Sequence, residues 1–154
     1  MTPRLKNPLH AAPEGIKAMM ALEATIRASG LEHSLLELVK LRASQINGCA
    51  YCIHMHATDA RAHGETEMRL YMLNAWRESS LYNERERAAL AWTEALTRVS
   101  ETGAPDADYE MVKSAFNETE QVYLTLAIGA INAWNRLQVG FRAAHPVDKT
   151  HDAA

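Results

Sequence analysis

From Glu14 to Phe141 the apolar residues return every three or four positions, and nowhere do they alternate at two for the length of a strand. That period fixes the fold class as all-α, a single-domain helical bundle with short connections. Pro3, Pro8 and Pro13 make residues 1–13 an extended N-terminal arm. Ile16, Met19, Met20 and Ile26 then give a first helix its inner side, and Ser29-Gly30 stops it. Ser34 opens a second helix with Leu35, Leu38, Val39 and Ile46 inward, broken at Asn47-Gly48. A third runs from Cys49 to His63 and ends at Gly64, and Thr66 caps a short fourth through Leu73. Asn83 with Glu86 resembles a capping box, starting a helix whose inner face is Ala88, Trp92, Ala95 or Leu96, and Val99. After the loop Thr102-Gly103-Ala104-Pro105, a short helix spans Asp106 to about Phe116. The longest helix starts after Asn117, carries Tyr123, Ala127, Ala130, Trp134, Leu137 and Phe141 on one stripe, and ends at Pro146. The helical domain is thus 14–144, and 145–154 is a flexible tail. Small residues on the last helix (Ala127, Gly129, Ala130, Ala133) permit close approach of a neighbouring helix, within the monomer or from another subunit.

The 154 residues suffice for one domain with a real core. Sixteen basic and nineteen acidic residues leave a net charge of -3, and there is no basic tail, so nucleic acid is not an expected partner. The N-terminus has no apolar h-region, and no apolar run approaches the ~20 residues that span a bilayer. The expected location is cytoplasmic, with no membrane contact.

Two cysteines form one Cys-x2-Cys, Cys49-Ala50-Tyr51-Cys52. A bridge across so small a loop adds little chain-entropy stabilisation, so the pair reads as reactive rather than structural. Cys49 and Cys52 are three apart and His56 is four further on, which puts all three on one ridge of a helix. Placement near a helix start favours a thiolate, and a neighbouring imidazole can accept the thiol proton. The imidazole needs a partner of its own. Glu37 is a candidate if the chain turns back at Asn47-Gly48. Equally, Ser34-Leu35-Leu36-Glu37 fits a capping box with Glu37 at its third position. Two sulfurs and an imidazole also suit zinc, with Glu37 as a fourth ligand, and inert core cysteines are a further reading. His54 points about 200° away from His56 on a helix. His10 and His63 look like surface or loop residues, His33 like a helix-entry residue. Tyr51 sits between the cysteines, where packing beside the helix start is its plain role.

The string Glu37-x11-Cys49-x2-Cys52-x3-His56, within ELVKLRASQINGCAYCIHMHATDARAHG, resembles the AhpD-like alkylhydroperoxidase core of the carboxymuconolactone decarboxylase superfamily. INAWNRLQVGFR, from Ile131 to Arg142, is similar to the C-terminal helix of the shorter members. The resemblance implies a thiol-dependent peroxidase with no metal and no organic cofactor, assembled as a homo-oligomer, trimer or hexamer. It implies that Glu37 draws a proton from Cys52 through His56, with a water in the relay. Cys52 would then attack a hydroperoxide substrate and become a sulfenic acid, and Cys49 would condense with it to a disulfide. A dithiol reductant restores the thiols; in the best-known members this is a lipoyl group on a partner protein. Those members carry a second histidine between the cysteines, where this chain has Tyr51. A phenol, with an unperturbed pKa of about 10, is a poor base at neutral pH but can donate or relay a proton. The expected site is therefore Glu37, Cys49, Cys52, His56 and Tyr51. The decarboxylase branch lacks the cysteine pair, which sets lactone decarboxylation aside. The rival readings are a general thiol–disulfide oxidoreductase or redox sensor, and a zinc-binding helical module.

Overall fold

Helix α3 (His33–Ile46) is the element around which the others are arranged: it packs against α4 (Ala50–Ala62), α6 (Glu84–Thr97) and α9 (Glu118–Phe141). The computed structural model describes residues 2–146. Among them there is no strand. The remaining elements are α1 (Pro8–Ala11), α2 (Pro13–Arg27), α5 (Glu67–Met72) with a following 3-10 turn at Leu73–Ala75, α7 (Val99–Thr102) and α8 (Asp106–Ala115). The all-helical, single-domain expectation holds.

Every residue of α3 from Leu35 to Ser44 is buried. Two apolar clusters meet on its opposite sides. Leu35, Leu36 and Val39 join Ile26, Val112, Phe116, Leu124 and Ile128. Leu38 and Leu41 join Leu73, Trp76, Tyr82 and Leu90. A helix enclosed all round is a core helix, and α3 is one despite its charged residues Glu37, Lys40 and Arg42.

The helix starts follow local chemistry. The Asn83–Glu86 capping box forms as expected, and Asn117 with Glu120 makes a second one at the start of α9. Thr66 caps α5 through its hydroxyl, which accepts from the Arg69 amide. Ser34 does not cap. It lies inside α3, whose N-cap is Glu32 with no side-chain cap bond, so no Ser34–Glu37 box exists. The Glu32 carboxylate is instead held by Arg85 across the domain, and Glu37 turns inward.

Four further expectations shift. The arm is not wholly extended, since Pro8 starts a single helical turn, a position where its missing N–H costs nothing. Helix α9 stops at Phe141, well before Pro146. Arg142 adopts a left-handed conformation (φ 56), and the amides of Arg142 and Ala143 bond back to Val139 and Gln138. Of the expected stripe of α9, Ala127 and Ala130 are buried, together with Leu124, Ile128, Ile131, Asn132 and Asn135, while Tyr123, Trp134, Leu137 and Phe141 lie at its half-buried edge. On α6, burial takes in consecutive residues Ala88–Ala91 because the helix is packed by α3 on one side and by α8 and α9 on others; Val99 lies beyond its end and is exposed. Of the expected tail, residues 147–154 fall outside the described residues. Among the described residues no helix is long and apolar enough to cross a membrane.

Candidate active site

The turn between α3 and α4 sets the site. Gly48 sits at φ 64, a left-handed conformation that a side chain would strain. The Asn47 side-chain amide donates to Asn132 Oδ1 at 2.9 Å and Asn135 Oδ1 at 2.8 Å, both on α9. Asn135 donates in turn to Ser44 Oγ at 3.0 Å, and the Cys49 amide donates to the Ser44 carbonyl at 3.0 Å. This amide ladder fastens the turn to the longest helix and fixes where α4 begins.

Cys49 is the N-cap of α4. Its sulfur accepts from the Cys52 amide at 3.3 Å, so one of the otherwise unpaired amides of the helix start points at sulfur. The two cysteines are joined as a disulfide and both are buried. One turn along, His56 is buried, and its Nδ1 meets Glu37 Oε2 at 2.7 Å. With Nδ1–H donated to the carboxylate, Nε2 is the nitrogen left to accept a proton. The hairpin therefore brings Glu37 to the imidazole, as one of the two sequence readings of Glu37 required.

Burial alone would raise the Glu37 carboxyl. The hydrogen bond and charge of His56, followed by Lys40 and His33, outweigh it and hold the group below its ordinary value of 4.5. Lys40 reaches Glu37 at 3.8 Å and Glu23 on α2 at 3.0 Å. Glu23, Lys40, Glu37 and His56 thus form one buried line of polar contacts. Sequence reading missed Glu23 and Lys40. Lys40 stands three residues after Glu37, on the same side of α3, and that spacing was the available signal. Nothing in the sequence ties Glu23 to it.

Cys52, His56 and Glu37 line a cavity of about 300 Å³. Its apolar wall is Leu9, Met20, Met55 and Trp134; Arg27, His33 and Asp59 stand in its polar wall. That size lies at the lower end of small-molecule sites. Tyr51, half-buried, lines it too. His33 is exposed and lies against His63, ring centroids 4.3 Å apart, so it is more than the helix-entry residue expected. His54 is exposed, away from the site. Ligand atoms of Glu37, His56 and Asp59 lie within 4.8 Å of one another. That cluster contains neither sulfur, whereas the zinc reading of the sequence draws on both.

The arrangement suits proton removal from a cysteine. A carboxylate fixes the ring tautomer, the ring faces the cavity, and a sulfur sits in the same wall. The profile of the carboxymuconolactone decarboxylase family matches residues 13–95, a span that contains all five expected site residues. An uncharacterized protein of Bacillus subtilis, YdfG, is 45% identical over 135 residues, covering 86% of this chain and 92% of its own. A protein of unknown function from Agrobacterium tumefaciens, described as a candidate antioxidant defence protein AhpD, superposes with a TM-score of 0.91 at 49% identity, covering 96% of this chain and 100% of that one. An uncharacterized peroxidase-related protein from Ralstonia eutropha, described as an alkylhydroperoxidase AhpD core, gives a TM-score of 0.78 at 17% identity over 95% of this chain and 78% of its own, a likeness of fold alone.

Proposed function

The chain belongs to the carboxymuconolactone decarboxylase family as an AhpD-like member, and from that premise we propose that it is a thiol-dependent peroxidase that reduces hydroperoxides. The observation that carries this reading is the 2.7 Å contact of Glu37 with His56, in the wall of the cavity that Cys52 also lines. In the reduced protein, His56 Nε2 takes the Cys52 proton, directly or through a water, and Glu37 stabilises the imidazolium. The Cys52 thiolate attacks the outer oxygen of ROOH. The O–O bond breaks, Cys52 becomes a sulfenic acid, and RO⁻ leaves as ROH with the proton from His56. Cys49 attacks the sulfenic sulfur, water departs, and the Cys49–Cys52 disulfide forms. A dithiol returns two electrons and two protons. Tyr51, between the two cysteines in the chain and lining the same cavity, relays or donates a proton to the departing oxygen.

A single-turnover experiment tests the proposal. Fully reduced protein is mixed with cumene hydroperoxide or hydrogen peroxide, and thiol loss, alcohol or water formation and sulfenic-acid trapping are followed together. One peroxide should consume two thiols, and in the Cys49→Ser variant the trapped sulfenic acid should map to Cys52. Fast exchange with disulfides alongside negligible peroxide consumption would support a general thiol–disulfide oxidoreductase instead.

A further inference from the structure

Lys40 and Glu23 are buried beside the relay, and the proposed reaction does not use them. The Lys40 ammonium donates to Glu23 Oε2 on α2 at 3.0 Å, which pins its flexible stem. It also stands 3.8 Å from Glu37 Oε1, while the other carboxylate oxygen, Oε2, meets His56 Nδ1. Each oxygen of Glu37 therefore has its own partner. The side chains of Lys40 and Glu37 are each only 6% exposed, so water screens little of the charge between them.

We propose that Lys40, anchored by Glu23, is a positioning residue that keeps the relay proton on His56, by holding Glu37 as a carboxylate turned toward Nδ1 throughout the cycle. The inference rests on the reading that Glu37 and His56 deprotonate Cys52. Once Nε2 has taken that proton, a buried carboxylate and a buried imidazolium face each other. Burial penalises both charges, so the Nδ1 proton can pass to Glu37 and leave a neutral acid beside a neutral ring. A neutral imidazole gives the thiolate no countercharge and is too weak an acid to return a proton to RO⁻. A cation beside Oε1 opposes that transfer, because it favours the charged carboxylate. Against burial, which would raise it, His56 and then Lys40 hold the Glu37 carboxyl below 4.5. The other ionisable groups around the cavity do not replace Lys40. Arg27 of α2 and His33 of α3 are exposed and so screened by water, Asp59 of α4 is exposed and acidic, and Tyr51 is a phenol. Helix α9 contributes Trp134 and Gln138, which carry no charge. Among the described residues lining the cavity, Lys40 is the one buried lysine or arginine.

The test uses reduced Cys49→Ser protein, in which Cys52 is the single thiol, and no peroxide. Alkylation by iodoacetamide is followed against pH, and its midpoint reports the Cys52 thiolate. In a Lys40→Met/Glu23→Gln variant, which removes both partners and strands neither, the midpoint should rise by about one pH unit. The rate at a pH below the midpoint should then fall about tenfold. Lys40→Arg, which keeps the cation, should keep the original midpoint. In a Glu37→Gln background the paired change should leave the midpoint where Glu37→Gln alone puts it, since the effect runs through Glu37. An unmoved midpoint in the folded paired variant overturns the proposal. So does an equal shift in the Glu37→Gln background, which would mean that Lys40 acts on the thiolate directly, or a shift in Lys40→Arg as large as in the paired variant. If the paired variant does not fold, Lys40→Gln/Glu23→Gln, which keeps a hydrogen bond between the two, carries the same expectation. Iodoacetamide needs no peroxide chemistry, so a failure of this shift and a failure of peroxide reduction are separate results.

Discussion

Glu37, buried on α3 itself, and Glu94, half-buried on α6 where it meets Arg42 of α3, show what separates a site from a brace. Glu94 is enclosed by permanent donors. Arg42 reaches Oε1 at 2.8 Å, the Trp76 indole N–H donates to the same oxygen at 2.9 Å, and Arg77 reaches Oε2 at 3.0 Å. Arg42 is itself tied to Asn74 at 2.6 Å and Gln45 at 3.1 Å. Burial would raise Glu94, but the hydrogen bonds of Trp76, Arg42 and Arg77 hold it below 4.5. Glu37 is held below 4.5 as well, so a lowered pKa does not distinguish the two. The partner does. Glu37 faces a histidine, which can gain and lose a proton near neutrality, in the wall of a cavity that a cysteine shares. Glu94 faces arginines, which cannot.

The contrast can be broken experimentally. The largest effect is expected at Glu37→Gln, which keeps the shape and leaves Lys40 its bond to Glu23. Peroxide-driven thiol oxidation should slow by about 10²–10⁴-fold, the usual size of a lost general base. A wild-type rate would place Glu37 with Glu94 as a brace. Next is Glu94→Ala, which strands Arg42 in the interior. Denaturant unfolding should show a loss of about 3–5 kcal/mol, with the oxidation rate of the folded fraction unchanged. A large rate loss at full stability would reverse the two roles.

Acid sharpens the comparison. A carboxylate depressed in the folded state contributes stability above its unfolded pKa and loses it as pH falls through the folded one. Both glutamates therefore withdraw stability below pH 4.5. Glu94→Gln should flatten the acid limb of stability against pH, and an unaltered limb would mean that the Arg42 cluster contributes nothing there. The smallest effect is at the turn. Gly48→Ala meets no atom within 4 Å, so only its left-handed backbone is strained, at about 1–2 kcal/mol in unfolding experiments. A larger loss would show that the asparagine ladder cannot absorb any shift of the turn.

Much of the fold could be read from the chain because helix limits are local events. Asn83 and Glu86 find each other within one turn, and Thr66 caps its own helix. The stripe of α9 was read off its true line because three- and four-residue spacing describes one flat neighbour, whereas α9 is packed by α2, α3, α6 and α8. Ser34 could pass for a cap because the sequence does not show that Arg85, fifty-three positions after Glu32, holds the true cap residue's carboxylate.

The chain by itself determined the ridge of Cys49, Cys52 and His56, since three and four residues along a helix set neighbours without help from anything else. Only the packed domain decided that Glu37 meets His56, nineteen positions away, that Glu23 and Lys40 extend the line, and that Cys52 lines the same cavity. Those contacts depend on how whole helices lie against one another, and that is set by the summed burial of many side chains rather than by any local spacing.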